Sequence, residues 1–156
     1  MFSENARKEL EAILKKYPNK RSAVMDALRV AQNEGAGHIT KADMEEISRV
    51  LEMPANEVHA AATFYTMYRV NKPVGKYHIQ VCANISCSLM GADHIIKHME
   101  NVLRIKTGET TPDSKYTLST VECLGSCGTA PMMQVNDDYY ENLDEKKIDE
   151  LLGRLK

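Results

Sequence analysis

Apolar residues recur every three to four positions through the first part of the chain. From Asn5 to Lys16 this spacing puts Ala6, Leu10, Ile13 and Leu14 on one helical face, and Tyr17, Pro18 and Asn19 end the run. Ser22 is placed to cap a second helix with Val24, Met25, Leu28 and Ala31 inward, stopped at Gly35, Ala36 and Gly37. Thr40 and Asp43 have the form of a capping box opening a third helix that carries Met44, Ile47, Val50 and Leu51. Pro54 suits the first turn of a fourth, running through Val58, Ala61, Ala62 and Phe64 towards Tyr68. Four short helices with tight connectors predict a small antiparallel bundle over residues 1–72.

The period changes at Asn71–Gly75. Tyr77–Cys82 alternates and is β-rich, which predicts a strand; a helix follows from about Gly91 to Leu103. Tyr116–Cys123 reads as a second strand. Met132–Val135 and Tyr139–Glu141 read as a hairpin turning at Asn136, and Leu143–Leu155 as a closing helix. The order βαββα over residues 73–156 makes the fold class α+β. A right-handed crossover would set the first two strands side by side and parallel.

Composition narrows the setting more than the chemistry. The chain has 156 residues, 43% apolar and 27% charged, with a formal net charge of −2. That balance gives no general case for nucleic-acid binding. No apolar run reaches the ~18–20 residues of a membrane span, so no direct membrane insertion is expected. The N-terminal stretch has no hydrophobic signal core and carries Glu4, Glu9 and Glu11, unlike an acidic-poor transit peptide. A cytoplasmic chain, or a processed mature form, is expected.

The cysteines carry the strongest signal. All four fall in two close pairs, Cys82-x4-Cys87 and Cys123-x3-Cys127. Reducing conditions disfavour structural disulfides, and no Cys-x-x-Cys is present for thioredoxin-type dithiol chemistry. Two pairs in loops after neighbouring parallel strands would converge at one sheet edge, forming a four-thiolate site. Zinc and [2Fe–2S] both accept that donor set. Zinc ribbons usually use two-residue gaps, whereas these looser gaps suit a wider two-iron centre, one iron per pair. Gly125 and Gly128 leave backbone N–H groups free to face sulfur, which would raise a cluster's potential. Neither Cys82–Ala92 nor Cys123–Asn136 contains a charged residue. With no cation to offset the added electron, a low potential is expected, suited to exchange with a nicotinamide or flavin system. Ile85, Leu89, Met90, Leu124 and Met132 make the rim apolar, a candidate docking face. Structural zinc and free or disulfide-forming thiols remain alternatives on spacing alone.

Other motifs are weaker. His94 and His98 stand one helical turn apart, but Ile95, Ile96, Met99 and Val102 take the buried face, so both imidazoles are expected in solvent. His38, His59 and His78 are isolated. Lys15, Lys16, Lys20 and Arg21 read as an exposed helix corner, and the nine methionines as packing. No Gly-x-Gly-x-x-Gly suggests that the chain itself binds a dinucleotide, and no Ser/His/Asp arrangement or other catalytic set is evident.

Cys82–Cys87 and Val121–Val135 resemble the signature segments of the 24-kilodalton subunit of respiratory complex I, the NADH:quinone oxidoreductase. Ala62–Tyr68, Pro73–Tyr77 and Asn136–Glu141 are similar as well, so the resemblance spans nearly the whole chain. It implies a helical bundle followed by a thioredoxin-like [2Fe–2S] ferredoxin domain, with Cys82, Cys87, Cys123 and Cys127 as iron ligands. In thioredoxin-like folds the residue before the third strand is often a cis proline, and Pro131 stands in that place, its isomer left open. The resemblance also implies an electron-transfer role beside a partner flavoprotein subunit that binds FMN and NADH, with further iron–sulfur subunits in the complex. The complex would lie peripheral to the cytoplasmic membrane, and the lack of a presequence points to a bacterial member. Two alternatives stand beside this reading: the small diaphorase subunit of an NAD-linked hydrogenase or formate dehydrogenase, and a zinc-stapled structural adaptor. A thiol-switch regulator comes after them.

Overall fold

The computed structural model describes residues 2–35 and 37–155. The chain forms two compact units, Met1–Pro73 and Val74–Lys156.

In the first unit, α1 (Glu4–Leu14) starts at Ser3, whose side chain accepts from the Ala6 N–H, and buries Ala6, Leu10 and Ile13. The second helix is capped differently from the sequence expectation. Asn19, not Ser22, caps a 3₁₀ turn (Lys20–Ala23) by accepting from the Ser22 N–H, and α2 (Val24–Glu34) continues from it. Helix α2 ends before Gly35; Ala36 of the expected stop lies outside the described residues. The Thr40–Asp43 capping box forms as expected and opens α3 (Lys41–Leu51), a motif worth ~1 kcal/mol. Helix α4 (Ala55–Phe64) follows Pro54 and stops short of Tyr68. Leu28, Ile47, Ile39 and Val58 are fully buried at the centre of this unit, each contributing ~1.5–3 kcal/mol. Tyr68, below α4, is held by its hydroxyl donating to the Met25 carbonyl at 2.8 Å. The basic corner is paired with acids: Lys20 with Glu52 and Arg21 with Glu57.

The second unit is a four-stranded mixed sheet with helices, and the α+β expectation holds. Its elements are β1 (Tyr77–Cys82), α5 (Ile85–Leu89), α6 (Ala92–Leu103), β2 (Tyr116–Val121), β3 (Met133–Val135), β4 (Asp138–Tyr140) and α7 (Glu145–Arg154). Strand order is β2-β1-β3-β4. Strands β1 and β2 are parallel, in register from Tyr77 opposite Tyr116 to Cys82 opposite Val121. Strand β3 runs antiparallel to β1, and β4 antiparallel to β3. Ile79, Val81, Leu118, Met133 and Val135 pack with Ile95 and Met99 of α6 and Ile148 and Leu151 of α7. Val102, expected on that buried face, is exposed, and Leu103 beside it packs against the sheet core instead. The short helix α5 has no counterpart in the sequence reading: five residues are too few to display a helical period. No helix among the described residues is long and apolar enough to cross a membrane.

Gly75 fixes the entry to β1. Its N–H donates to Thr117 Oγ1 at 2.7 Å, and an added Cβ would lie 2.9 Å from backbone atoms of Lys115 and Tyr116. Backbone cannot yield as a flexible side chain does. Gly75→Ala should therefore destabilise the second unit by ~1–3 kcal/mol, measured as a lower Tm, with loss of the β1–β2 edge; an unchanged Tm would refute the tight contact.

Candidate metal centre

The parallel register brings the two cysteine loops to one edge of the sheet. Cys82 is the last residue of β1 and Val121, its partner in register, the last of β2, so both chains leave the sheet together. The Ala83 N–H still donates to the Val121 carbonyl at 2.9 Å, carrying the pairing one residue into the loops. Cys87 lies within α5, Cys123 just past β2, and Cys127 at the start of a 3₁₀ turn (Cys127–Thr129).

The two pairs have different surroundings. Cys82 and Cys87 are 2% and 1% exposed and pack with Ala92, Ala130 and Met132, with Leu124 against them. Cys123 and Cys127 are exposed. Burial pushes the Cys82 thiol up, but backbone N–H groups of Asn84 and Leu124 and the Cys87 thiol hydrogen-bond its sulfur and bring it below its ordinary value. Burial pushes the Cys87 thiol up, and its hydrogen bond with Cys82 adds to this; the Met132 N–H opposes both. Cys127 is near enough to act on Cys87 electrostatically. Leu124 and Met132 belong to the second loop and its exit, so that loop's backbone reaches the sulfurs of the first pair. The Gly125 N–H donates to Cys123 Sγ at 3.3 Å, with Gly125 at a φ of 78°, a conformation L side chains rarely adopt. The peptide bond between Ala130 and Pro131 is cis.

Four free thiols, three of them receiving backbone N–H groups, suit a thiolate-bound anionic centre. Among the described residues no group of three or more His, Cys, Asp or Glu side chains is arranged as a ready-made site for a single metal ion.

The structure corrects the rim. Met132 is fully buried and belongs to the packing under Cys82 and Cys87, and Leu124 is half-buried. Ile85, Leu89 and Met90, on and just after α5, are strongly exposed and form the apolar surface beside the first pair.

Some features were out of reach of the sequence. The second loop is uncharged along the chain, yet Glu141 meets it: its Oε1 accepts from Thr129 Oγ1 at 2.7 Å and from Ser126 Oγ. Tyr139 Oη donates to the Leu124 carbonyl at 2.9 Å, and the N–H groups of Asn142 and Leu143 donate to the Thr129 and Pro131 carbonyls. The only advance signal was that Asn136–Glu141 resembled the same family as the cysteine segments. His94 is exposed, as expected, whereas His98 is not. His98 has a side chain only 17% exposed and meets Asp149 at 2.9 Å, while His94 meets Glu145 at 2.8 Å, so the pair clasps α6 to α7. His78 is buried with Nε2 2.8 Å from Ser119 Oγ.

The difference in burial has a direct chemical consequence. In the metal-free chain, iodoacetamide should label Cys123 and Cys127 well before Cys82 and Cys87, read by peptide mass spectrometry. Equal labelling rates would contradict the dry first pair.

The family model for thioredoxin-like [2Fe-2S] ferredoxin matches residues 10–156. A subunit of the NADH-quinone oxidoreductase of Rhizobium meliloti (strain 1021) is 48% identical over 146 residues, covering 94% of this chain and 86% of its own. A subunit of the same enzyme from Rickettsia prowazekii (strain Madrid E) is 49% identical over 144 residues, covering 91% and 81%. The crystal structure of an NAD+-reducing [NiFe]-hydrogenase in the air-oxidized state superposes with a TM-score of 0.71 at 22% identity, over 85% of this chain and 22% of that one. That likeness concerns the fold.

Proposed function

The chain belongs to the thioredoxin-like [2Fe–2S] ferredoxin family, and from that premise we propose that it is the electron-transfer subunit of an NADH:quinone oxidoreductase, holding one [2Fe–2S] cluster on Cys82, Cys87, Cys123 and Cys127. The observation that carries this reading is the arrival of both cysteine pairs at one sheet edge through the parallel β1–β2 pairing. The names of relatives at 48% and 49% identity support the parent complex. The hydrogenase-type alternative draws only on a fold likeness at 22% identity. When bound, the cluster would supply a single reversible electron.

The residues of the chain divide the remaining work. Cys82 and Cys87 would hold the inner side, where Ala92, Ala130 and Met132 exclude water. Cys123 and Cys127 would hold the outer side. N–H groups of Asn84, Leu124, Met132 and Gly125 would stabilise added negative charge on the sulfurs. Hydride transfer would belong to a partner subunit carrying FMN and NADH. Ile85, Leu89 and Met90 are the surface best suited to seat that partner, since an exposed apolar patch beside a redox centre keeps the transfer path short and dry. As a part of such a complex the chain would lie at the cytoplasmic face of a membrane without entering it.

Anaerobically purified protein should contain about two irons and two acid-labile sulfides per chain, with visible bands that bleach on dithionite. A colourless protein with one zinc would defeat the assignment. Cys123→Ala should lose the cluster, and a variant with full iron content would remove Cys123 from the ligand set. Leu89→Glu should weaken co-purification with the flavoprotein subunit while leaving iron content unchanged, because Leu89 is 80% exposed. Undiminished co-purification would move the docking face elsewhere.

A further inference from the structure

The segment 139–143 runs alongside the loop 124–131 and engages it at successive points. Tyr139 Oη holds the Leu124 carbonyl, Asn142 N–H the Thr129 carbonyl at 2.7 Å, and Leu143 N–H the Pro131 carbonyl at 2.9 Å. Between these contacts, Glu141 takes the side chains. Ser126 immediately precedes Cys127, and Thr129 lies two residues after it. Their hydroxyls are 2.8 Å apart, and both donate to the same Glu141 oxygen. Each hydroxyl has one proton, and the Thr129 hydroxyl has a competing acceptor in the Ser126 carbonyl at 3.1 Å. A carboxylate outcompetes a neutral acceptor for such protons. These two hydrogen bonds hold the Glu141 carboxyl below its ordinary range, so it is ionised at neutral pH. Glu141 is the only charged residue of the segment 139–143, and no charged residue lies in Cys123–Asn136.

We infer that Glu141 is a positioning residue for the iron-binding loop: it fastens the Cys127 turn through Ser126 and Thr129, and it sets a negative charge beside the centre that holds the reduction potential down. This rests on the cluster reading above and adds a device to it. The bracing part acts on geometry, since both donors flank a ligand on the exposed, otherwise less supported side. The charge part acts through space, because an electron added near a fixed carboxylate meets repulsion. Glu141 is exposed, so salt should screen that repulsion.

Two variants of the full chain separate the parts. Glu141→Gln keeps an acceptor oxygen and removes the charge; Glu141→Ala removes both. Redox titration followed by visible absorption should show a higher midpoint potential for Glu141→Gln at low ionic strength. The shift should shrink near 1 M salt, where the screening length falls to ~3 Å. Its iron release to a chelator should be slower than that of Glu141→Ala, because an acceptor oxygen remains. Glu141→Ala should share the raised potential and release iron roughly fivefold faster than the wild type. In the metal-free chain it should also exchange the Thr129 amide faster, since that N–H is held by the Ser126 carbonyl at 3.2 Å. An unmoved potential in Glu141→Gln at low salt would overturn the charge role. Wild-type iron release and amide exchange in Glu141→Ala would overturn the brace. A wild-type chain that binds no two-iron centre would instead overturn the cluster reading, with the amide exchange still deciding the brace.

Discussion

The parallel pairing of β1 with β2 is the constraint on which the site depends. Parallel strands point their carboxyl ends to the same edge, so the loops after Cys82 and Val121 start as neighbours although they are far apart in sequence. The register is specified by contacts that a slip would break. Tyr77 stacks on Tyr116 at 5.7 Å, the buried His78 meets Ser119, and the Gly75 N–H meets Thr117. A one-residue shift would exchange the two faces of the strand and separate His78 from Ser119. Strand β1 is central, paired on both sides and buried along most of its length, so the edge that presents Cys82 is a rigid one.

The site built on that edge is asymmetric. One pair of thiols sits in a dry pocket whose packing partners are small or flexible, Ala92, Ala130 and Met132. The other sits in an exposed loop with little apolar support of its own. The fold compensates with hydrogen bonds: the stretch from Tyr139 to Leu143 meets the loop at Leu124, Ser126, Thr129 and Pro131. Helix α7 then returns over the sheet, anchored by Ile148 and Leu151 and clasped to α6 by His94, His98, Glu145 and Asp149. Exposed ion pairs of this kind contribute little singly, and α7 owes its place mainly to the buried aliphatic residues.

Electrostatics follow the same division. At the inner pair, N–H groups oppose the cost of burial: they bring the Cys82 thiol down, whereas at Cys87 burial and the neighbouring sulfur prevail. At the outer pair Glu122 precedes Cys123 along the chain, and the hairpin brings a second carboxylate, Glu141, onto Ser126 and Thr129. A loop with no charge along the chain therefore does not have an uncharged environment, and reasoning about a redox centre from its flanking residues omits the groups that tertiary structure delivers.

Much of the architecture was legible in the chain. The helical period marked α1 to α4, the Thr40–Asp43 box marked the start of α3, and alternation marked β1 to its last residue, because each depends on residues within a few positions of one another. The spacing of the four cysteines pointed to a thiolate centre for the same reason. The sequence by itself determined which of the longer segments become helix or strand, how the thiols are spaced along the chain, and which stretches have no charge, but not the short helix α5 that carries Cys87. Only the tertiary structure decided that Met132 is buried while Leu89 is exposed, that His98 clasps α7, and that Glu141 reaches Ser126 and Thr129. Those outcomes arise where segments distant along the chain meet, and local pattern holds no information on the partner that will cover a residue or the charge that will face it.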